Sequence, residues 1–276
     1  ATPQYSNWIL EPQLNYNHQW KKHKIDVLVG ATLQNQNTEN TVLYASNFPS
    51  DDLIENISSA VSLKVNSGGS SIYKYQALYG RFNYNFNSKY ILNITGRRDG
   101  SSRFGDNKRY ANFSALGAAW LFSKENFLQN INWLSFGKLR FSYGSAGSDL
   151  IGNYQFYDSY TISSTIYDGV TGMNPSRLYN PNFSWEKTYK LEAALEVGLL
   201  NDRINMVINR YRNRSSSQLV GVPLSTVTGF TSYQSNLNAT VENSGWEFSM
   251  QLQSVKNKNF SWESTFVQGL TWASEG

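Results

Sequence analysis

The chain has 276 residues and carries 8 Trp, 18 Tyr, 15 Phe, two His, no Cys and a formal net charge of +4. The small excess of Lys and Arg is scattered along the sequence, which argues against a nucleic-acid partner, and the absence of cysteine excludes a disulfide scaffold or a thiolate metal site. With 15% aromatic and 16% charged residues, the composition fits either a soluble carbohydrate-binding β-sandwich or a membrane barrel with a polar interior.

The first predicted hairpin alternates apolar and polar residues, and a period of two places the two sets on opposite faces of a sheet. Its first strand, lysine-rich turn and second strand cover residues 8–20, 21–24 and 25–34. Pro12 interrupts the first strand, where proline usually marks an edge or a bulge.

A long polar segment follows at residues 35–71, where the alternation fades into Asn, Ser, Asp and Gly. This composition predicts a loop with a short helix over residues 51–57, for which Ser50 is the expected cap. A loop of that length is uncommon in a compact soluble domain and routine on the outer side of outer-membrane barrels.

The most aromatic hairpin covers residues 79–104 and turns at 87–89. One set of alternate residues is aliphatic and aromatic, and the other is mostly polar, so that one face suits lipid and the other suits water. After residue 96 the strand enters the run Arg97-Arg98-Asp99-Gly100-Ser101-Ser102-Arg103-Phe104, here named the signature segment. It is too polar to lie in a membrane, and its Asp-Gly pair predicts a turn.

The rest of the chain repeats this two-faced pattern. Further strands are predicted at residues 115–122, 138–144, 189–199, 203–209, 246–253 and 262–270, with a helical connection at 124–128 and long polar connections at 145–185 and 212–243. No stretch approaches the roughly 20 apolar residues of a membrane helix. About ten strands with alternating short turns and long loops predict an all-β, antiparallel transmembrane β-barrel.

The polar positions supply candidates for the lining of a channel. The candidate lumen-facing residues are Arg81, Asn83, Asn93, Lys138, Arg140, Lys190, Glu192 and Glu196. Glu192 and Glu196 could pair for glycoside hydrolysis in a barrel enzyme, but Lys190 beside them favours a polar lining. His18 and His23 lie among aromatic residues and lysines and are expected to be structural. We therefore predict no enzyme, no metal site and no cofactor.

Several runs carry a family resemblance. They are residues 90–105, 113–120, 139–144 and 223–230, together with Asn180-Pro181 and Trp185-Glu186. With the signature segment following its strand, they resemble the SusC/RagA family of TonB-linked outer-membrane transporters of Bacteroidetes. The arginines of the signature segment could grip an anionic ligand, but a structural role at the base of an outer loop is the favoured interpretation.

The resemblance implies a location in the outer membrane, a barrel of roughly 22 strands around a plug, and import of an oligosaccharide or a peptide. It also implies a SusD-like surface lipoprotein as a lid and energy from the TonB complex. The plug and the TonB box are absent from these 276 residues, so we expect the whole chain, 1–276, to be an internal part of the barrel domain. The segment 271–276 does not obviously continue a family strand.

Overall fold

A computed structural model describes residues 2–275, which form a meander of long β-strands. The strands are β1 (Thr2–Leu10), β2 (Gln13–Trp20), β3 (His23–Ser46), β4 (Ser62–Phe86), β5 (Tyr90–Ser101), β6 (Tyr110–Trp120), β7 (Leu134–Ser148), β8 (Ser159–Tyr167), β9 (Val170–Arg177), β10 (Glu186–Leu199), β11 (Ile204–Pro223), β12 (Ser232–Lys256) and β13 (Ser261–Glu275). Short 3-10 helices lie at Asp51–Leu53, Ile57–Ser59, Phe122–Lys124 and Thr226–Thr228. Within residues 2–275, no helix has the length and apolar character that crossing a membrane requires.

Eleven strands form one continuous sheet in which chain neighbours pair antiparallel, in the order β1-β3-β4-β5-β6-β7-β10-β11-β12-β13. The remaining strand, β2, pairs with the same edge of β3 as β1 does, and Pro12 separates the two. The Pro12 carbonyl accepts a hydrogen bond from the Ala31 amide at 3.0 Å. The first predicted strand is therefore interrupted at its proline, and the prediction of about ten strands is confirmed. With eleven of the thirteen described strands in one sheet, the architecture differs from the two packed sheets of a sandwich.

The two faces of the sheet differ as the alternation predicted, because directly paired residues share a face. On one face Phe82 pairs with Val27 and Ile94; on the other, Asn83 pairs with Asp26 and Asn93. The same separation runs through β6, β7 and β10, and it gives the sheet an apolar face and a polar face.

The two ends of the sheet also differ. At one end, called the short-turn end, compact connections such as residues 21–22, 87–89 and 200–203 join the strands. The connections 47–61, 102–109, 149–185 and 224–231 lie at the other end, called the long-loop end, whereas the 121–133 connection lies at the short-turn end. The β8–β9 hairpin belongs to the longest of these connections and forms its own two-stranded sheet.

Aromatic rings line the short-turn end of the apolar face. The ring of His23 lies 5.2 Å from Trp20 and 4.9 Å from Phe86, and Phe86 lies 6.3 Å from Tyr90. Outer-membrane barrels place an aromatic girdle of this kind where an apolar surface meets the membrane interface. His23 Nδ1 also lies 2.7 Å from the Tyr84 hydroxyl, a structural contact of the kind expected for this histidine.

Two predicted loops were wrong. The segment 35–71 is mostly strand, because β3 continues to Ser46 and β4 begins at Ser62, and the segment 212–243 is likewise occupied by β11 and β12. In these parts of the strands the apolar residues no longer recur at alternate positions, although the backbone pairing continues.

Neither predicted helix is an α-helix. The first consists of two separate 3-10 turns, Asp51–Leu53 and Ile57–Ser59, and Ser50 stands at the N-cap of the first turn without a side-chain cap bond. The second lies slightly earlier than predicted, at Phe122–Lys124, and continues as turns.

The main buried cluster lies at the long-loop end of the sheet rather than along the parts of the strands that form the apolar face. It contains Phe104, Ala111, Phe113, Phe156, Phe183 and Trp185. Its members come from β6 and from the connections 102–109 and 149–185, so it holds the long loops against the sheet.

Candidate functional site

The eight candidate lumen-facing residues all lie on the polar face, as the strand registers show. Arg81, Asn83 and Asn93 belong to the β4–β5 hairpin, where Asn83 and Asn93 are directly paired. The charged residues lie further along the sheet, where Lys138 pairs with Glu196 and is followed two residues later by Arg140. Both signs of charge therefore lie on one surface.

Arg140 is the centre of an ionic network on this face. Its Nη1 lies 2.7 Å from Glu192 Oε1, its Nε lies 3.0 Å from Glu196 Oε1, and Lys138 Nζ lies 3.2 Å from the same Glu196 oxygen. Because Arg140 holds both carboxylates, they are not arranged as an acid and a base across an open cleft. Lys190 lies on the same face opposite Gly144 and Asn213.

The first half of the signature segment is strand rather than turn. Asp99 pairs with Ala77 and Ala111 on either side, and β5 continues to Ser101. The buried Asp99 carboxylate accepts a hydrogen bond from Arg97 Nε at 2.7 Å instead of closing a turn. The predicted Asp99-Gly100 turn is therefore wrong, because strand pairing on both sides fixes an extended backbone.

Arg97 and Arg98 point to opposite faces. Arg97 lies on the polar face, where its Nη2 donates to the Tyr75 hydroxyl at 2.6 Å. Arg98 lies on the apolar face, 5.2 Å from the centre of the Tyr110 ring, and Gly100 follows it there between Gln76 and Tyr110. Consecutive arginines thus serve different surfaces.

Asp149, just after β7, ties the second half of the signature segment to β4. Its Oδ2 accepts hydrogen bonds from the Tyr73 hydroxyl at 2.8 Å and from Ser101 Oγ at 2.7 Å. Arg103 donates to the Asp149 carbonyl at 2.8 Å, and its guanidinium lies 4.2 Å from the centre of the Tyr73 ring. Burial, reinforced by the Asp149 carboxylate, raises the pKa of Tyr73 above its ordinary value. Ser102 continues the pairing by bonding with the Lys74 backbone.

Phe104 ends the segment in the buried cluster. Its side chain is fully buried, with its ring centre 6.1 Å from that of Phe183 and 5.2 Å from that of Trp185. Trp185 Nε1 donates to the Arg109 carbonyl at 3.0 Å. The contacts from Tyr73 and Asp149 to Phe104 and Trp185 are here called the loop clasp.

The sequence did not identify Asp149, Tyr73 or Trp185 as members of this cluster. Asp149 is separated from Ser101 by 48 positions and from Tyr73 by 76, so no local pattern joins them. Among residues 2–275, no group of three or more His, Cys, Asp or Glu side chains is placed to hold a metal ion.

Comparison with known proteins gives a consistent result. A family model described as "TonB dependent receptor-like, beta-barrel" matches residues 2–276. TonB-dependent receptor P26 of Formosa agariphila is 33% identical over 265 residues, 94% of this chain and 27% of that protein. TonB-dependent receptor SusC of Bacteroides thetaiotaomicron is 33% identical over 200 residues, 70% of this chain and 20% of that protein.

Among solved structures, the RagAB peptide importer in its "closed-closed" state matches 98% of this chain with a TM-score of 0.88 and 27% identity. The match covers 30% of that importer chain. The chain thus spans about a quarter of the length of the curated relatives it matches.

Proposed function

Because this chain belongs to the TonB dependent receptor-like β-barrel family, we propose that it forms part of the wall of a SusC/RagA-type importer. Members of this family are receptors and transporters rather than enzymes, in agreement with the sequence prediction, and they reside in the outer membrane. In this proposal the apolar face contacts lipid and the polar face lines the transport path.

The observation that carries the proposal is the continuous two-faced sheet with its match to the RagAB peptide importer at a TM-score of 0.88. The girdle from Trp20 to Tyr90 supports a membrane interface at the short-turn end. The Arg140 network supports a water-filled path, because charged pairs of this exposure need hydration that lipid does not provide.

The proposed cargo is a peptide or an oligosaccharide. The similarity to the RagAB peptide importer supports a peptide, and the similarity to SusC leaves oligosaccharides as the second class. The proposed partners are a SusD-like surface lipoprotein at the long-loop end and the TonB complex on the other side of the membrane. The RagAB complex supports the first partner, and family membership supports the second.

We assign the signature segment a structural role within this importer. Arg97 donates to Asp99 and Tyr75, and Arg103 donates to Asn153 and Asp149, so neighbouring residues already orient both guanidinium groups. The loop clasp would then hold the outer loops over the entrance to the path.

The test uses the full-length protein in its native host. Deletion of the gene should abolish growth on one cargo class, tested with a defined peptide mixture and with oligosaccharides as alternative sole nutrients, and the wild-type gene should restore it. Equal growth of the deletion strain on every cargo in that panel would contradict the importer assignment.

A second comparison tests the polar face. Replacing both carboxylates, Glu192→Gln with Glu196→Gln, leaves Arg140 and Lys138 without their partners, so uptake should shift several-fold toward anionic members of the cargo class. Glu55→Gln, in an exposed part of the 47–61 loop, is the matched control. Heat-modifiable mobility in gels verifies that each barrel is folded. An unchanged charge preference in the folded double variant would contradict the proposal that Glu192 and Glu196 line the transport path.

A further inference from the structure

The apolar face carries one set of charges that the importer role does not use. Arg210, Arg212 and Arg214 occupy alternate positions of β11 and pair directly with Ala193, Leu191 and Tyr189 of β10. Paired residues share a face, so these arginines point to the side of the sheet that the leucine and tyrosine occupy. The polar face, which holds Glu192 opposite Tyr211, is on the other side.

The cluster has more positive than negative charge. Glu242 is the only acidic partner of these three arginines in the described part of the chain, at 2.8 Å from Arg212 and 3.4 Å from Arg214. Lys187 lies on the same face, opposite Ser216, and adds a further positive charge. Arg212 and Arg214 have about half of their side-chain surface exposed, at 47% and 52%.

Aromatic rings hold the third arginine in place. The Arg210 guanidinium lies 5.6 Å from the centre of the Trp246 ring and 5.9 Å from that of the Trp272 ring. Stacking on tryptophan faces keeps a guanidinium oriented at little cost in hydration. Arg210, Arg212 and Arg214, together with Glu242, are here called the arginine ledge.

The position of the ledge along the strand matches a membrane boundary. From the short-turn end, the apolar face of β11 first presents Ile204, Met206 and Ile208, and the arginines follow toward the long-loop end. A charge facing lipid costs roughly 2–4 kcal/mol at the middle of the bilayer and little at its interfaces. The ledge is therefore expected at the height of lipid headgroups.

A groove beside the ledge has an apolar wall and a charged wall. A cavity of about 390 Å³ is lined by Tyr143, Tyr189 and Leu191 on its apolar side and by Arg212 and Arg214 on its charged side. Arginine forms paired hydrogen bonds with phosphate oxygens, while the apolar wall can contact an acyl chain.

We propose that the arginine ledge binds the phosphate of a phosphorylated lipid in the outer leaflet, with the lipid chain along the Tyr189–Leu191 side of the groove. The charge excess, the interfacial height and the amphiphilic groove together favour a lipid over a soluble anion. This proposal rests on the orientation given above, in which the apolar face contacts lipid and the long-loop end points outward.

The test measures lipid retention by the full-length protein in detergent, using native mass spectrometry. The probes are lipid A that carries its phosphates, the same lipid after phosphatase treatment, and inorganic phosphate alone. The wild-type protein should retain the phosphorylated lipid, and Arg212→Gln with Arg214→Gln should weaken retention at least about tenfold, the loss expected for one or two charge-assisted hydrogen bonds. Glu242→Gln should strengthen retention, because it frees both guanidinium groups.

Arg203→Gln is the control for position, since it removes an arginine charge from the turn at the other end of the β10–β11 hairpin. The variant Arg212→Lys with Arg214→Lys keeps both positive charges and should retain part of the lipid. It serves as the test variant in case the glutamine variant does not fold. Equal retention by the folded glutamine variant, or equal retention of the dephosphorylated lipid, would overturn the proposal, as would saturation by inorganic phosphate alone. Nutrient uptake is measured in parallel. Loss of the lipid-binding proposal would then show in retention alone, and loss of the importer proposal would show in uptake.

Discussion

Phe104 shows how one residue can anchor a polar segment. The seven residues of the signature segment before Phe104 are all charged, polar or glycine. The segment nevertheless ends with a fully buried ring that packs near Phe183 and Trp185. That ring lies in the apolar part of the loop clasp, and Asp149 and Arg103 supply its hydrogen bonds.

Replacing Phe104 with Ala should loosen the long-loop end without unfolding the membrane-height strands. Phe-to-Ala changes in packed cores cost about 3–5 kcal/mol, and here that loss falls on the connections 102–109 and 149–185. Limited proteolysis of the folded barrel should cut the 149–185 connection several-fold faster in the variant. Phe127→Ala, at a position that is 71% exposed, should leave the cleavage rate unchanged. Equal rates for the two variants would show that the buried cluster does not restrain the loops.

Glu125 provides a pH-dependent contribution at the other end of the sheet. It lies in the connection between β6 and β7, where hydrogen bonds from Tyr90, Trp120 and Lys89 lower the pKa of its carboxyl to about 2 from an ordinary 4.5. Since the folded state binds this proton more weakly than the unfolded state, the contribution is complete above about pH 4.5 and is lost as the pH falls toward 2.

Glu125→Gln should therefore lower the thermal midpoint at pH 7 and have a progressively smaller effect as the pH falls from 4.5 toward 2. Thermal unfolding of the full-length protein, followed by gel mobility at a series of pH values, measures this difference. Glu55→Gln removes a carboxylate from an exposed loop and should give curves parallel to the wild type. A constant deficit for Glu125→Gln at all pH values would contradict the assigned ionisation.

At the scale of elements, several strands extend beyond the residues in which apolar and polar side chains alternate. Alternation predicted the hairpins at 79–104 and 189–209 because each needs only local information, a period of two and a turn. It failed at 35–71 and 212–243, where β3 pairs with β4 and β11 with β12 beyond the alternating part of the sequence. The polar-face residues could be predicted for the same local reason, whereas the Asp149 contacts could not, since they depend on which loops fold together.

Close approach between β6 and β7 gives an element-level prediction. A Cβ at Gly147 would collide with the ring of Phe113, which is packed within the buried cluster. Gly147→Ala should consequently displace Phe113 and cost roughly 1–3 kcal/mol, the range for overpacking a core, detectable as faster proteolysis of the 149–185 connection. A Cβ at Gly69 meets nothing within 4 Å, so Gly69→Ala is the matched control. Equal protease resistance in the two alanine variants would show that the strands are free to adjust.

At the scale of the whole molecule, the sheet predicts its own orientation. In outer-membrane barrels the short turns lie on the periplasmic side and the long loops on the outside. The chain has no cysteine, so single substitutions in it can report which end is accessible.

Val227→Cys and Lys258→Cys mark opposite ends of β12, in the 224–231 loop and in the turn before β13. In intact cells an impermeant maleimide should label the first and not the second, and both should react after the outer membrane is permeabilised. Labelling of Lys258→Cys alone in intact cells would invert the proposed orientation, and with it the outer-leaflet position of the arginine ledge.

The length of β3 and β4, 24 and 25 residues, has a consequence for the cell surface. At about 3.3 Å per residue and a tilt of about 40°, such strands rise roughly 60 Å, whereas the apolar band of a barrel is roughly 25 Å tall. With the long loops outward, a collar of paired backbone stands above the lipid to a height similar to the thickness of the membrane. In the proposed orientation, an antibody or a phage that approaches from outside the cell would meet that collar and its loops before it meets the lipid.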